Sequence, residues 1–188
     1  WKDAFFGDIL ADTDKRKGVL SDVYDELSEE ILENSALYRL IVDTKPDVVV
    51  ECINTATAIA YQDVYTSANT ARRSLDSGNC DAETMEKMMS SVYIPQLIRH
   101  VQIFYKALLD ADSKMYVKIG TSGTGGMGLN IPYTHSEERP SRVLLAKAAV
   151  AGAQSLLLFL MARTPDGPLV KEIKPTAAIA WKRIAYDK

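Results

Sequence analysis

The residues best placed to do chemistry in this 188-residue chain lie between Tyr116 and Ala162. A short apolar run, Met115-Tyr116-Val117-Lys118-Ile119, reads as a strand and enters a loop of small residues, Gly120 to Gly128, that begins with the hydroxyls of Thr121 and Ser122. A polar loop from Asn130 to Pro140 carries Tyr133, and a long helix-forming segment from Ser141 to Ala162 carries one lysine, Lys147. Strand, hydroxyl-bearing loop and lysine-bearing helix make a catalytic layout as well as a structural one. Lys147 has two readings: a stem that snorkels its ammonium to the surface, or a cation pointed at a ligand.

The remaining segments must position that unit. Lys2 to Leu10 reads as a short buried strand (3–7) ending in Gly7-Asp8. Residues 12 to 35 are charged, with apolar positions at Val19, Leu20, Val23, Leu27, Ile31 and Leu32, which fits one or two amphipathic helices with Ser21 or Asp22 as N-cap. Leu37 to Asp43 reads as a last helical turn stopped at Lys45-Pro46, because the residue before proline disfavours helix. Asp47 to Ile53 is a β-branched run, the pattern of a parallel strand covered on both faces. It ends in the small polar stretch Asn54-Thr55-Ala56-Thr57. Residues 61 to 91 read as a helical insertion broken by a Ser-Gly-Asn loop, and 92 to 110 as a helix that tolerates Pro95 in its first turn. Thr164 to Pro168 is a turn, and Leu169 to Ile173 a further strand. Strands alternating with helices predict an α/β domain built on a parallel sheet with right-handed crossovers and helices on both faces.

Composition excludes several classes. With 47% hydrophobic and 25% charged residues, the chain is a soluble globular one with one sizeable core. A net charge of -3 argues against nucleic acid as a partner, since phosphate binding needs clustered basic surface. Two cysteines without metal-ligand spacing and two histidines argue against a metal site. Cys52, inside an apparently buried strand, reads as an inert core thiol. Gly123-x-Gly125-x-x-Gly128 has the spacing of a dinucleotide fingerprint, but Pro132 and its polar surroundings prevent the helix that must open within it. Segment 141–162 approaches the length of a membrane span, yet Lys147 and Gln154 interrupt it, so a buried or interface helix is expected. Nothing resembles a signal peptide, and a cytoplasmic setting is expected.

Taken together, the motifs resemble the extended short-chain dehydrogenase/reductase family, in particular its nucleotide-sugar epimerases and dehydratases. Phe6-Gly7-Asp8-Ile9 is similar to the motif after the third strand, whose aspartate contacts adenine. Lys45 to Val50 resembles the fourth strand and Asn54-Thr55-Ala56 its cofactor-lining end. Thr121-Ser122 stands where the family holds the substrate oxygen, Ile131-Pro132-Tyr133-Thr134 resembles the following loop, Lys147-Ala148-Ala149 the lysine of its long helix, and Ile173-Lys174-Pro175 the segment bordering the nicotinamide. The resemblance implies a doubly wound, Rossmann-like α/β fold and NAD or NADP as cofactor, with Asp8, Ile9, Asn54, Thr55, Ala56, Lys147 and Pro175 as contacts and a small-molecule substrate. It implies Thr121, Ser122 and Lys147 as catalytic residues. It also implies a homodimer built from helices 94–109 and 141–162. Val143 occupies the position of the catalytic tyrosine, four residues before the lysine, and Tyr133 of the preceding loop is then either a substitute acid or a loop tyrosine packed on the surface. Three functions remain: an oxidoreductase or epimerase with a relocated acid, a dinucleotide-binding sensor or scaffold without redox turnover, and a cofactor-free interaction protein. The chain reads as one domain, residues 1–188, with helical insertions at about 12–36 and 61–91. Because it starts at Trp1 within an apparent strand, it also reads as the middle of a larger protein that lacks the N-terminal glycine-rich loop.

Overall fold

The structure, a computed structural model, describes residues 6–53, 59, 62–120 and 142–173. Four helices come first: α1 (Phe6–Ala11), α2 (Thr13–Tyr24), α3 (Glu29–Asn34) and α4 (Ala36–Thr44). Side-chain caps set the starts of the last three. The Asp12 carboxylate accepts from the N–H groups of Asp14 and Lys15, the Ser28 hydroxyl from Ile31 and the Ser35 hydroxyl from Tyr38. Each cap satisfies a donor that the first helical turn leaves orphaned.

Three expectations fail here. Phe6 and Gly7 are helical, so the strand at 3–7 is not formed as expected; residues 1–5 lie outside the described residues. A short apolar run does not distinguish strand from helix by periodicity, and here the helix buries Ile9 while Asp12 caps α2 directly after it. Ser21 and Asp22 sit inside α2 and are not caps. Leu37 to Asp43 belongs to a nine-residue helix rather than a last turn. That helix does stop at Lys45, which takes a left-handed φ of 43° ahead of Pro46.

The sheet comes next. Strand β1 (Val48–Glu51), shorter than the run 47–53, leads to α5 (Val64–Asp76), α6 (Ala82–Ser90) and α7 (Tyr93–Asp110). Then come β2 (Met115–Ile119), α8 (Arg142–Ala162) and β3 (Leu169–Ile173). The strands lie in the order β1-β2-β3, and both pairs are parallel. Parallel neighbours cannot be joined by a tight turn, so helices supply the crossovers. Val49, Tyr116 and Val170 stand side by side as one rung of the sheet, and Glu51, Lys118 and Glu172 as the next on the same face.

That face is the covered one. Ile41 of α4, Phe104, Ala107 and Leu108 of α7, and Leu158 and Met161 of α8 form a core with Tyr116, against which Val49 and Val170 pack. The Phe104 and Tyr116 rings lie 4.5 Å apart. A second cluster joins Ile59 and Leu97 to Val150 and Ala151. The opposite face stays open among the described residues, with Val48, Val50, Leu169 and Ile173 about half exposed. Sheet order accounts for this: strands that advance in one direction through crossovers of one hand put their connecting helices on one side. Cys52, expected in the core, is exposed, because β1 ends before it.

Helix α8 is apolar nearly all round. Lys147, Val150, Ala151, Gln154, Leu158 and Met161 form its buried stripe, while Leu145, Leu156, Phe159 and Leu160 are exposed. Residues 145–162 are long and apolar enough to cross a membrane by length and composition; here the helix packs against α7 and β3. Leu108→Ala is expected to lower unfolding free energy by about 2–5 kcal/mol, the range for emptying a fully buried leucine site. Leu156→Ala, on the exposed stripe, should change it by no more than about 0.5 kcal/mol. Denaturant unfolding of the two variants checks both.

Candidate functional site at the carboxyl edge of the sheet

Each strand carries one ionisable residue on the covered face near its carboxyl end. Parallel pairing sets Glu51 beside Lys118 and Lys118 beside Glu172. The Lys118 ammonium donates to the Glu51 carboxylate at 2.6 Å and to the Ile53 carbonyl at 2.6 Å. The Tyr116 hydroxyl donates to the other Glu51 oxygen. His100, from α7, brings Nε2 to 4.0 Å from Glu51. On the far strand, Ser155 of α8 donates to Glu172 at 2.9 Å. Lys118 and Glu51 are 2% and 7% exposed, so these charges are held away from water.

Burial and pairing set the protonation states. Burial pushes the Glu51 carboxyl up, but hydrogen bonds from Lys118 and Tyr116 outweigh it and leave the group below its ordinary value. Burial, then the Glu51 acceptor, pushes the Tyr116 phenol far above its ordinary value. Tyr116 is therefore a neutral hydrogen-bond donor near neutral pH, unsuited to proton transfer. Burial lowers His100, against a smaller opposing pull from Glu51, and keeps its imidazole neutral. The cluster is an internally paired layer that fixes where β1 and β2 end.

Lys147 lies beyond this layer. It is 5% exposed and falls on the buried stripe of α8, two turns before Ser155. Eight residues of helix rise about 12 Å, which carries Lys147 from the level of Glu172 past the strand ends. In open α/β sheets ligands bind in that crevice, outside the carboxyl ends of the strands. Burial removes the snorkelling reading of Lys147. Asn54, Thr55, Ala56, Thr121, Ser122, Tyr133 and Pro175 lie outside the described residues. Val143 is in the first turn of α8. Asp8 is exposed on α1 rather than at a strand end, and Ile9, beside it, is buried in the wall of a cavity against α2 and α7.

No protein-family model, curated protein or solved structure matches the chain.

Glu51, Tyr116, His100, Lys118 and Glu172 were not among the residues the sequence singled out. The available signal was a charge closing each apolar run, in Val48-Val49-Val50-Glu51, Met115-Tyr116-Val117-Lys118 and Leu169-Val170-Lys171-Glu172. Lys118→Met should cost about 3–5 kcal/mol, because it breaks a buried ion pair by removing one partner. The double variant Lys118→Met with Glu51→Leu should recover much of the loss. The pH dependence has a fixed sign. Because Glu51 is lowered in the folded state, the unfolded chain takes up its proton first, and acid favours unfolding. The stability gap between wild type and Glu51→Gln should be full above the ordinary value of 4.5 and narrow as pH falls through the lowered folded-state value. Urea titrations of both proteins across that range check it.

Proposed function

We propose that the chain is an NAD(P)-binding protein of short-chain dehydrogenase/reductase type, holding the dinucleotide across the carboxyl edge of the sheet. The small-molecule substrate would lie against the segment that carries Thr121, Ser122 and Tyr133. The observation that carries this reading is Lys147: a buried lysine on an apolar helix, past the ends of parallel strands, where a cation meets the hydroxyls and phosphates of a dinucleotide. The Asn54-Thr55-Ala56 and Thr121-Ser122 stretches support it, since each follows a strand that ends at that edge.

The finer fold assignment belongs with this proposal. A doubly wound, Rossmann-like sheet carries helices on both faces, and the open face presents Val48, Val50, Leu169 and Ile173. Parallel sheets occur almost only with both faces covered, so an apolar open face is what such an architecture requires before its second layer is in place. Val143 favours a second reading of the same site, a dinucleotide-binding protein without redox turnover, because no phenol stands four residues before Lys147.

Calorimetry with NAD and NADP tests binding. Lys147→Ala is expected to weaken affinity by about 1–3 kcal/mol, the scale of one charge-assisted hydrogen bond; unchanged affinity would remove Lys147 from the site. Turnover separates the two readings. Full activity in Tyr133→Phe would remove Tyr133 as the acid, and absence of hydride transfer with bound cofactor would favour the sensor or scaffold.

Assembly is proposed from exposed apolar surface. Ile94 and Ile98 of α7, with Leu145, Leu156, Phe159 and Leu160 of α8, remain about half exposed. Large open apolar patches are rare on monomers, and a two-fold dimer through these helices covers them symmetrically. Sedimentation at micromolar concentration should show a dimer that Leu156→Glu converts to monomer. A wild-type monomer would count against it.

A further inference from the structure

The open face of the sheet is an apolar surface without a cover among the described residues. On β1, β2 and β3 every residue on that face is apolar except Lys171. Val48, Val50, Leu169 and Ile173 are about half exposed there. The helices that contribute to the core against the sheet, α4, α7 and α8, all lie on the other face. Parallel sheets occur almost only with both faces covered, and contiguous apolar surface of this kind is rare on soluble chains.

One stretch of the chain has the pattern to cover it. Residues 174–188 follow β3 and lie outside the described residues. In their sequence Ala177, Trp181, Ile184 and Lys188 recur at steps of four, three and four, the spacing of one helix face, with Ala180 and Ala185 beside them. Lys182, Arg183 and Tyr186 fall on the opposite side, where Ile179 is the one apolar residue. Thr176, directly after Pro175, is a residue type that caps helix N-termini.

Dimensions and charge agree with this pairing. Twelve helical residues rise about 18 Å, and the five residues of β3 extend about 17 Å. A helix is about 10 Å across, or two strand spacings, so one centred on β2 reaches both neighbours. Because β3 ends at the carboxyl edge, a segment folding straight back runs toward the amino edge. Lys188, the one charge on the apolar side, then comes over the turns that enter β1 and β3. Asp47 and Asp166 are exposed in those turns and have no ion pair among the described residues. We propose that residues 177–188 dock on the open face as an amphipathic helix, with Trp181 over Val50 and Val117 and Lys188 over the aspartates of the amino edge. This cover lies across the sheet from Lys147 and stands apart from the dinucleotide reading.

Methyl NMR of the full chain, labelled at isoleucine, leucine and valine, tests this. It is read in Trp1→Phe, which leaves Trp181 as the single tryptophan. The Trp181 indole should show cross-relaxation with the methyls of Val50 and Val117, within one molecule when labelled and unlabelled chains are mixed. Contacts only between molecules would assign the face to a second copy and overturn the proposal. So would contacts of these methyls with Tyr133 in place of Trp181, Trp181 contacts confined to Leu156 and Leu160 of α8, or no Trp181 contact at all. Trp181→Ser should raise the fluorescence of a dye that reports exposed apolar surface several-fold, whereas Lys182→Ser, on the outer side, should leave it unchanged. Equal dye binding by the two variants would count against the docked helix.

Discussion

The Glu51–Lys118 pair constrains the rest of the sheet. Two charges buried under α7 and α8 are tolerable only while they face each other, and they do so in one register of β1 against β2. A slip by one residue would turn Lys118 onto the open face and take the buried ammonium away from Glu51. Tyr116 ties the same carboxylate from the neighbouring rung, while its ring packs on Phe104. The pair therefore couples strand register to the seating of α7, and so to the position of everything α7 carries.

Helix α7 carries a great deal. Its sheet-facing side supplies Phe104, Ala107 and Leu108 to the main core, Leu97 to the second cluster and His100 to the buried charges. Arg99, one residue from His100, reaches instead to the Asp25 carbonyl at the end of α2. One helix thus presents a neutral imidazole to the carboxylate layer and a buried guanidinium to the end of α2. Polar groups buried this way reduce stability relative to an apolar core, and each needs a partner to hold its geometry.

Helix α8 solves a different problem. With apolar residues around most of its circumference, it cannot leave one side to water without exposing leucine and phenylalanine, and it does expose them. Its inner stripe places Lys147 at the crest and Ser155 on Glu172, so one helix spans the paired layer and the proposed ligand crevice above it. The open sheet face and the outer stripe of α8 are two separate apolar surfaces, on opposite sides of the sheet.

Much of the local structure was legible in the sequence. Strands 115–119 and 169–173, the long helix after Pro140, the proline in the first turn of α7 and the stop at Lys45-Pro46 reflect β-branched runs, apolar spacing and proline sterics acting over a few residues. A parallel α/β arrangement was implied by their alternation. Residues Phe6 to Ala11 failed that reading because so short a segment, with apolar residues on either side of Gly7-Asp8, fits either period, and burial of Ile9 against distant helices decided between them. Cys52 failed because strand length depends on pairing with β2, which no local pattern records. The buried charges were visible only as single letters closing three apolar runs; their meaning required the register that aligns Glu51, Lys118 and Glu172. Arg99 looked like one more cation on an amphipathic helix. Only the packing of α2 over α7, which brings Arg99 onto the Asp25 carbonyl 74 residues away in the chain, buried its guanidinium beside a cavity. Local propensity thus determined which segments are strands and which are helices, whereas long-range packing decided which charges lost water, because desolvation depends on neighbours the sequence does not place.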